Sequence, residues 1–79
     1  MQRQAQRQVK TKEQWVEEAN TLYNLKRYGE ALEAYNQAIR LDSNDADVYN
    51  NKGNVLDHLG KRREAQQAYD RAKQLGYKG

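Results

Sequence analysis

The side chains able to do chemistry in this chain are few: one histidine, eleven carboxylates and no cysteine. Without cysteine there is neither a disulfide nor a thiolate metal site, and a single histidine builds no His-rich metal cluster. His58 has only Asp57 and Asn54 as neighbouring partners, all three on what reads as an exposed helix, so a surface histidine is the expected role. Glu17-Glu18 and the pair Glu30/Glu33 fall at solvated helical positions and read as structural charge. The run Asp42-Ser43-Asn44-Asp45-Ala46-Asp47 has the outline of a calcium loop. It fails where a ligand is required (Ala46), where glycine is required (Asp47) and at the closing glutamate, which is Gly53. No Gly-rich phosphate loop is present. Catalytic residues, metal ligands and cofactors are therefore all expected to be none, and the chain is not expected to be an enzyme.

What positions these groups is a repeat of 34 residues. Trp15 answers Tyr49, Ala19 answers Gly53, Leu22 answers Leu56 and Leu25 answers Leu59. Ala31 then answers Ala65, Tyr35 answers Tyr69, Ala38 answers Ala72 and Leu41 answers Leu75. A fixed period with no insertion marks an architecture in which each unit stacks on the next instead of closing its own core.

Helical spacing of apolar residues predicts a first helix from about Lys12 to Leu25, entered through a Thr11-x-x-Gln14 capping box. Lys26-Arg27-Tyr28-Gly29 reads as a break, attributed to Gly29. A second amphipathic helix is expected over about 29–41. Asp45 caps a third, about 46–59, stopped by Gly60, and a fourth runs over about 62–75 to Gly76. The predicted fold is all-α: two tandem helix-turn-helix hairpins in a right-handed α-solenoid stack. Unit one spans 12–45 and unit two 46–79, behind a basic Gln/Arg-rich arm, 1–11, expected to be disordered or fraying helix.

Composition sets further bounds. The chain has 79 residues, 37% hydrophobic, 32% charged and no proline. Its apolar runs never exceed two residues, too short for a membrane span or a signal-peptide core, so a cytoplasmic location is expected. The net charge of +3 is concentrated at the start. Arg3, Arg7, Lys10 and Lys12 precede the first acid, and of the fourteen basic residues the other ten nearly balance eleven acids.

The repeat resembles the tetratricopeptide repeat, a 34-residue helix pair with a W-x-x-L-G-x-x-Y run followed by spaced Ala, Phe and Pro. Unit two reads Tyr49-Asn-Asn-Lys-Gly53-Asn-Val-Leu56, then Ala65, Tyr69 and Ala72; unit one reads Trp15-Val-Glu-Glu-Ala19-Asn-Thr-Leu22, then Ala31, Tyr35 and Ala38. The small residues would let paired helices approach closely, with Trp15, Tyr35, Tyr49 and Tyr69 filling the space between hairpins. The loop proline of the pattern is missing, with Ser43 and Tyr77 in its place. Leu32 and Ile39 become Gln66 and Lys73 one period later, which suggests that the last helix carries the polar outer face of a capping repeat.

Such a resemblance implies a non-catalytic protein-interaction module that holds a peptide in a concave groove lined by the first helix of each pair. Carried over, the groove is Glu13, Val16, Glu17, Asn20 and Asn24 in unit one, and Asp47, Asn50, Asn51, Asn54, Asp57 and His58 in unit two. Asparagine offers both a donor and an acceptor to a peptide backbone, and the carboxylates would favour a polar or basic ligand. Asn20 and Asn51 match two of five positions with which some members clamp a chaperone's C-terminal carboxylate; Val16 replaces the first lysine there.

Two units are fewer than the three or so that usually make a stable stack. Either the stack belongs to a longer array or is completed by self-association, a homodimer using Ala34, Tyr69, Leu75 and Tyr77, or the chain is a weakly stable monomer. Lys26, Arg27, Lys61, Arg62 and Arg63 fall at equivalent turns and form a basic edge opposite Asp42, Asp45 and Asp47. With the arm, that edge is the basis of the alternative partner, nucleic acid or an acidic protein, bound through phosphates or carboxylates. The lack of a free aromatic platform counts against nucleic acid.

Overall fold

The computed structural model describes residues 9–78. Its elements are α1 (Lys12–Asn24), α2 (Tyr28–Leu41), α3 (Ala46–His58) and α4 (Arg62–Gln74). Among the described residues there is no strand, and no helix is long and apolar enough to cross a membrane. α1 packs on α2 and α3 on α4, and the two hairpins join where α2 meets α3. Of the arm expected over 1–11, residues 1–8 lie outside the described residues.

Each first helix of a pair starts on a side-chain cap. At α1 the capping box closes in both directions: Gln14 N–H donates to Thr11 Oγ1 at 3.1 Å, and Thr11 N–H donates to Gln14 Oε1 at 2.8 Å. One period on, Asp45 Oδ1 accepts from the amides of Asp47 and Val48 at 3.0 and 3.3 Å. Both devices satisfy amides that have no intrahelical partner.

The break between α1 and α2 is not made by Gly29. Glycine 29 lies within the first turn of α2, and the reversal is carried by Lys26, whose φ is +62°. The amide of Arg27 then donates back to the Leu22 carbonyl at 2.9 Å, closing a Schellman turn. The same turn recurs at Gly60 (φ +79°) and at Gly76 (φ +101°), closed by Lys61 N–H to Leu56 and Tyr77 N–H to Ala72.

The core is built from small residues around one large one. Ala19, Ala31, Ala34, Ala38, Val48 and Val55 enclose Tyr35, which is 1% exposed. A second cluster, Leu56, Ala65 and Ala68, is covered from unit one by Leu32. No polar or charged residue is buried among those described, so apolar burial is the main favourable term.

The aromatic residues expected between the hairpins divide. Tyr35 is enclosed, whereas Trp15, Tyr49 and Tyr69 keep part of their surface in solvent. Trp15 packs on the core from the side of unit one that faces away from unit two, where no helix covers it among the described residues. Ala34, expected to be a dimer contact, is 2% exposed and lies at the bottom of a recess beside Trp15 and Leu22.

Candidate functional site

Between the two hairpins α1, α2 and α3 frame a depression of about 270 Å³, lined by Asn20, Tyr23, Asn24, Tyr35, Asn51 and Asn54. Helical spacing accounts for the arrangement. Asn20 and Asn24, and Asn51 and Asn54, are four and three residues apart, so each pair shares one helix face. The result is four side-chain amides facing one solvent-filled space.

Two of these amides are held by tyrosines from the second helix of the same hairpin. Tyr35 donates its hydroxyl proton to Asn20 Oδ1. The Tyr69 hydroxyl lies 2.8 Å from both Asn54 Oδ1 and Asp57 Oδ2, between which its single proton is shared. Each Asn–Tyr pair is 15 residues apart and recurs at the 34-residue period. Occupying Oδ1 fixes the amide plane and leaves the Nδ2 protons for another acceptor. Burial pushes the Tyr35 hydroxyl up to about 12. Burial, followed by the Asp57 carboxylate, pushes Tyr69 up to about 12. Both therefore remain donors throughout the neutral range.

The remaining predicted groove residues are dispersed. Glu13, Val16 and Glu17 line a separate recess with Lys12 and Asp45, and Val16 also packs on the core. Asn50 donates through Nδ2 to the Tyr77 hydroxyl at 3.1 Å, tying α3 to the chain after α4. Asp47 lines a recess with Asp42, Asn44 and Tyr77. Asp57 is shared between Tyr69 and Arg62, whose Nε is 3.4 Å away.

His58 belongs to an aromatic group. Its ring stacks on Tyr28 at 4.4 Å and 8°, and meets Tyr23 edge-on at 5.4 Å. The Tyr23 hydroxyl is 3.1 Å from Nε2. This packing joins α1, α2 and α3.

Both charged edges are partly neutralised locally. Arg27 pairs with Glu30 at 2.5 Å, Lys61 approaches Glu64 at 4.0 Å and Arg62 pairs with Asp57. On the acidic side, Lys12 Nζ sits 3.0 Å from Asp42 and 2.6 Å from Asp45. The hydrogen bonds to Asp45 and Asp42 raise the ammonium's pKa. Asp42 is lowered first by the Asn44 amide and then by Lys12, and Asp45 first by Lys12. Lys12 thus clamps the start of unit one to the turn before unit two.

Tyr23 and Tyr35 are the site residues that sequence reasoning missed as groove members, Tyr35 because it reads as packing between the hairpins. The signal was present for Tyr35: Asn20/Asn54 and Tyr35/Tyr69 are retained across the period, while Glu17 becomes Asn51 and Val16 becomes Asn50.

Comparison with known proteins bears on the same stretch of chain. Residues 19–60 match the family model described as TPR repeat, and residues 46–75 match that described as tetratricopeptide repeat. No curated protein shows significant similarity to the chain.

Proposed function

Because the chain belongs to the tetratricopeptide repeat family, whose repeats generally mediate protein–protein interactions and are typically non-catalytic, we propose that it binds an extended peptide segment along the four asparagines between its hairpins. The observation that carries this reading is the depression holding Asn20, Asn24, Asn51 and Asn54, two of them oriented by tyrosine hydroxyls. Their free Nδ2 protons suit the carbonyls of a peptide backbone and demand little of its sequence. Glu13, Glu17 and Asp57 lie on the same helices and favour a ligand carrying lysine, arginine or a free N-terminus.

The alternative through the basic edge is weaker, since Arg27, Lys61 and Arg62 each have a carboxylate partner. Self-association finds support in the part-exposed Tyr69, Leu75 and Tyr77, but the neighbouring α4 surface is polar at Gln66, Asp70 and Lys73.

The test is an NMR titration of the whole chain with unstructured basic, neutral and acidic peptides. Side-chain amide signals of Asn24 and Asn51 should shift, most with the basic peptide. The double variant Asn24→Ala, Asn51→Ala leaves both Tyr–Asn bonds intact and should weaken binding about tenfold or more, for two hydrogen bonds at about 1 kcal/mol each. A variant of unchanged stability that binds every peptide as the parent does would remove the assignment.

A further inference from the structure

A second cleft, of about 380 Å³, opens on the flank of unit one that faces away from unit two and shares no residue with the asparagine groove. Six of its lining residues are Trp15, Glu18, Leu22, Glu30, Glu33 and Ala34. Advanced by 34 positions, these become Tyr49, Lys52, Leu56, Glu64, Gln67 and Ala68. Those six line the junction at which α2 crosses onto unit two, together with Leu32 and Asn36 of α2 itself. The open cleft is therefore the periodic image of a surface that, in this same molecule, already receives a helix. Where α2 covers it, Leu56 is 3% exposed; Leu22, its counterpart at the open end, is only half-buried.

The charge of the two surfaces differs. Lys52 is Glu18 at the open end, Gln67 is Glu33 and Arg71 is Gln37, each exchange moving the surface toward negative. The chain itself shows what suits this chemistry. Lys10 Nζ lies 4.2 Å from the centroid of the Trp15 ring and pairs with Glu18. A cation placed over Trp15 gains from both the ring face and the carboxylate.

We propose that this cleft docks an amphipathic helix from a protein partner. That helix presents an apolar stripe at the spacing of Leu32, Asn36 and Ile39, flanked by lysine or arginine that meets Glu18 and Glu33 and displaces Lys10. A second copy of this chain fits poorly, because the corresponding positions of α4 are Gln66, Asp70 and Lys73, the first two hydrogen-bonded to each other at 3.0 Å. Burying that polar face against Leu22 and Trp15 would forgo most of the apolar gain.

Trp15 is the only tryptophan and reports on the cleft directly. The probe is a synthetic peptide of the α2 sequence, 28–41, carrying Gly29→Lys and Glu33→Lys on the flank of the stripe that already holds Arg40, titrated into the full chain while Trp15 emission is recorded. Saturable change of Trp15 emission is expected, with NMR shifts at Leu22 and Ala34 and none at Asn24 or Asn51. Reversing one charge in the cleft and neutralising another (Glu18→Lys, Glu33→Gln, the residues of unit two) should weaken binding about tenfold. Circular dichroism of that variant establishes that it is folded. Equal binding of the unmodified acidic α2 peptide, unchanged binding to the variant, or shifts confined to the asparagine groove would each overturn the proposal. So would Trp15 emission that changes with protein concentration alone, which would assign the cleft to a second copy.

Discussion

The two hairpins occupy matching positions of one repeat, yet unit one encloses its central tyrosine and unit two does not. Tyr35 is 1% exposed, with Ala19 and the α3 residues Val48 and Val55 in the same cluster. Its counterpart Tyr69 stays half-buried, since among the described residues no helix packs over it as α3 packs over Tyr35. The helix beneath Tyr69 has adjusted. A Cβ on Gly53 would stand 2.5 Å from Tyr69 Cε1, so the position that is Ala19 in unit one must be glycine in unit two unless the ring moves. The outer face of α4 has become polar at the same time, with Gln66 and Lys73 for Leu32 and Ile39. Unit one thus has its central ring enclosed by α3, whereas unit two leaves its own ring half-buried beside a polar α4 face.

Removing each ring breaks this comparison most directly. Tyr35→Ala empties an enclosed site and should cost about 3–5 kcal/mol. That equals the roughly 3–5 kcal/mol a core of this size supplies, so the variant should be largely unfolded by circular dichroism. Tyr69→Ala opens a hollow that water fills and should cost only about 1–2 kcal/mol, read as a lower urea midpoint with the helices retained. Equal losses would mean that the two units are energetically alike.

A smaller difference lies in alkali. Both tyrosines are raised from 10.0 to about 12 in the folded chain. A phenol raised on folding contributes stability that is complete below its unfolded value and lost as pH climbs through the folded one. Stability should therefore hold to about pH 10 and fall toward pH 12. Tyr35 owes its shift mainly to burial, whereas Tyr69 owes part of its own to the exposed Asp57. Added salt screens exposed charge. It should move the Tyr69 titration back toward 10 and leave Tyr35 in place, as followed by tyrosinate absorbance in Tyr35→Phe and Tyr69→Phe variants. Identical salt responses would assign both shifts to burial alone.

Much of this arrangement was legible in the sequence, because the 34-residue period and the caps are carried by residue type. Thr11 with Gln14, and Asp45 one period later, mark helix starts whose hydrogen bonds are those the residues predict. The Tyr–Asn bonds were legible too, as a doubled 15-residue spacing, but tyrosine at a core position reads as packing alone. The Tyr28–His58 stack left no such trace. Its counterparts one period away, Arg62 and Asn24, carry no ring that repeats the signal. Dispersal of the predicted groove had a similar cause. Asn50 and Asp57 lie on α3 as expected, but Tyr77 and Tyr69 claim them from elements whose approach the helix pattern does not specify.

The turn between α1 and α2 shows how one period can inform the other, and it carries the smallest expected effect. Glycine is the residue type that interrupts helices, which points to Gly29 as the break within the run Lys26–Gly29. The backbone places it at Lys26 instead, whose φ of +62° strains a side chain with a Cβ. Its counterpart is Gly60, at φ +79°, with nothing within 4 Å of where a Cβ would stand. Crowding therefore plays no part, and the two turns differ only in the backbone conformation each residue tolerates. Lys26→Gly should relieve that strain. Part of the gain is offset by the greater freedom of glycine in the unfolded chain, leaving a stabilisation of about 0.5–1 kcal/mol. Gly60→Ala should cost about 1 kcal/mol for the same reason with the sign reversed. Urea midpoints of the two variants measure both. A Lys26→Gly chain no more stable than its parent would show that this left-handed turn costs the lysine nothing, and that the two units differ only in their rings and outer faces.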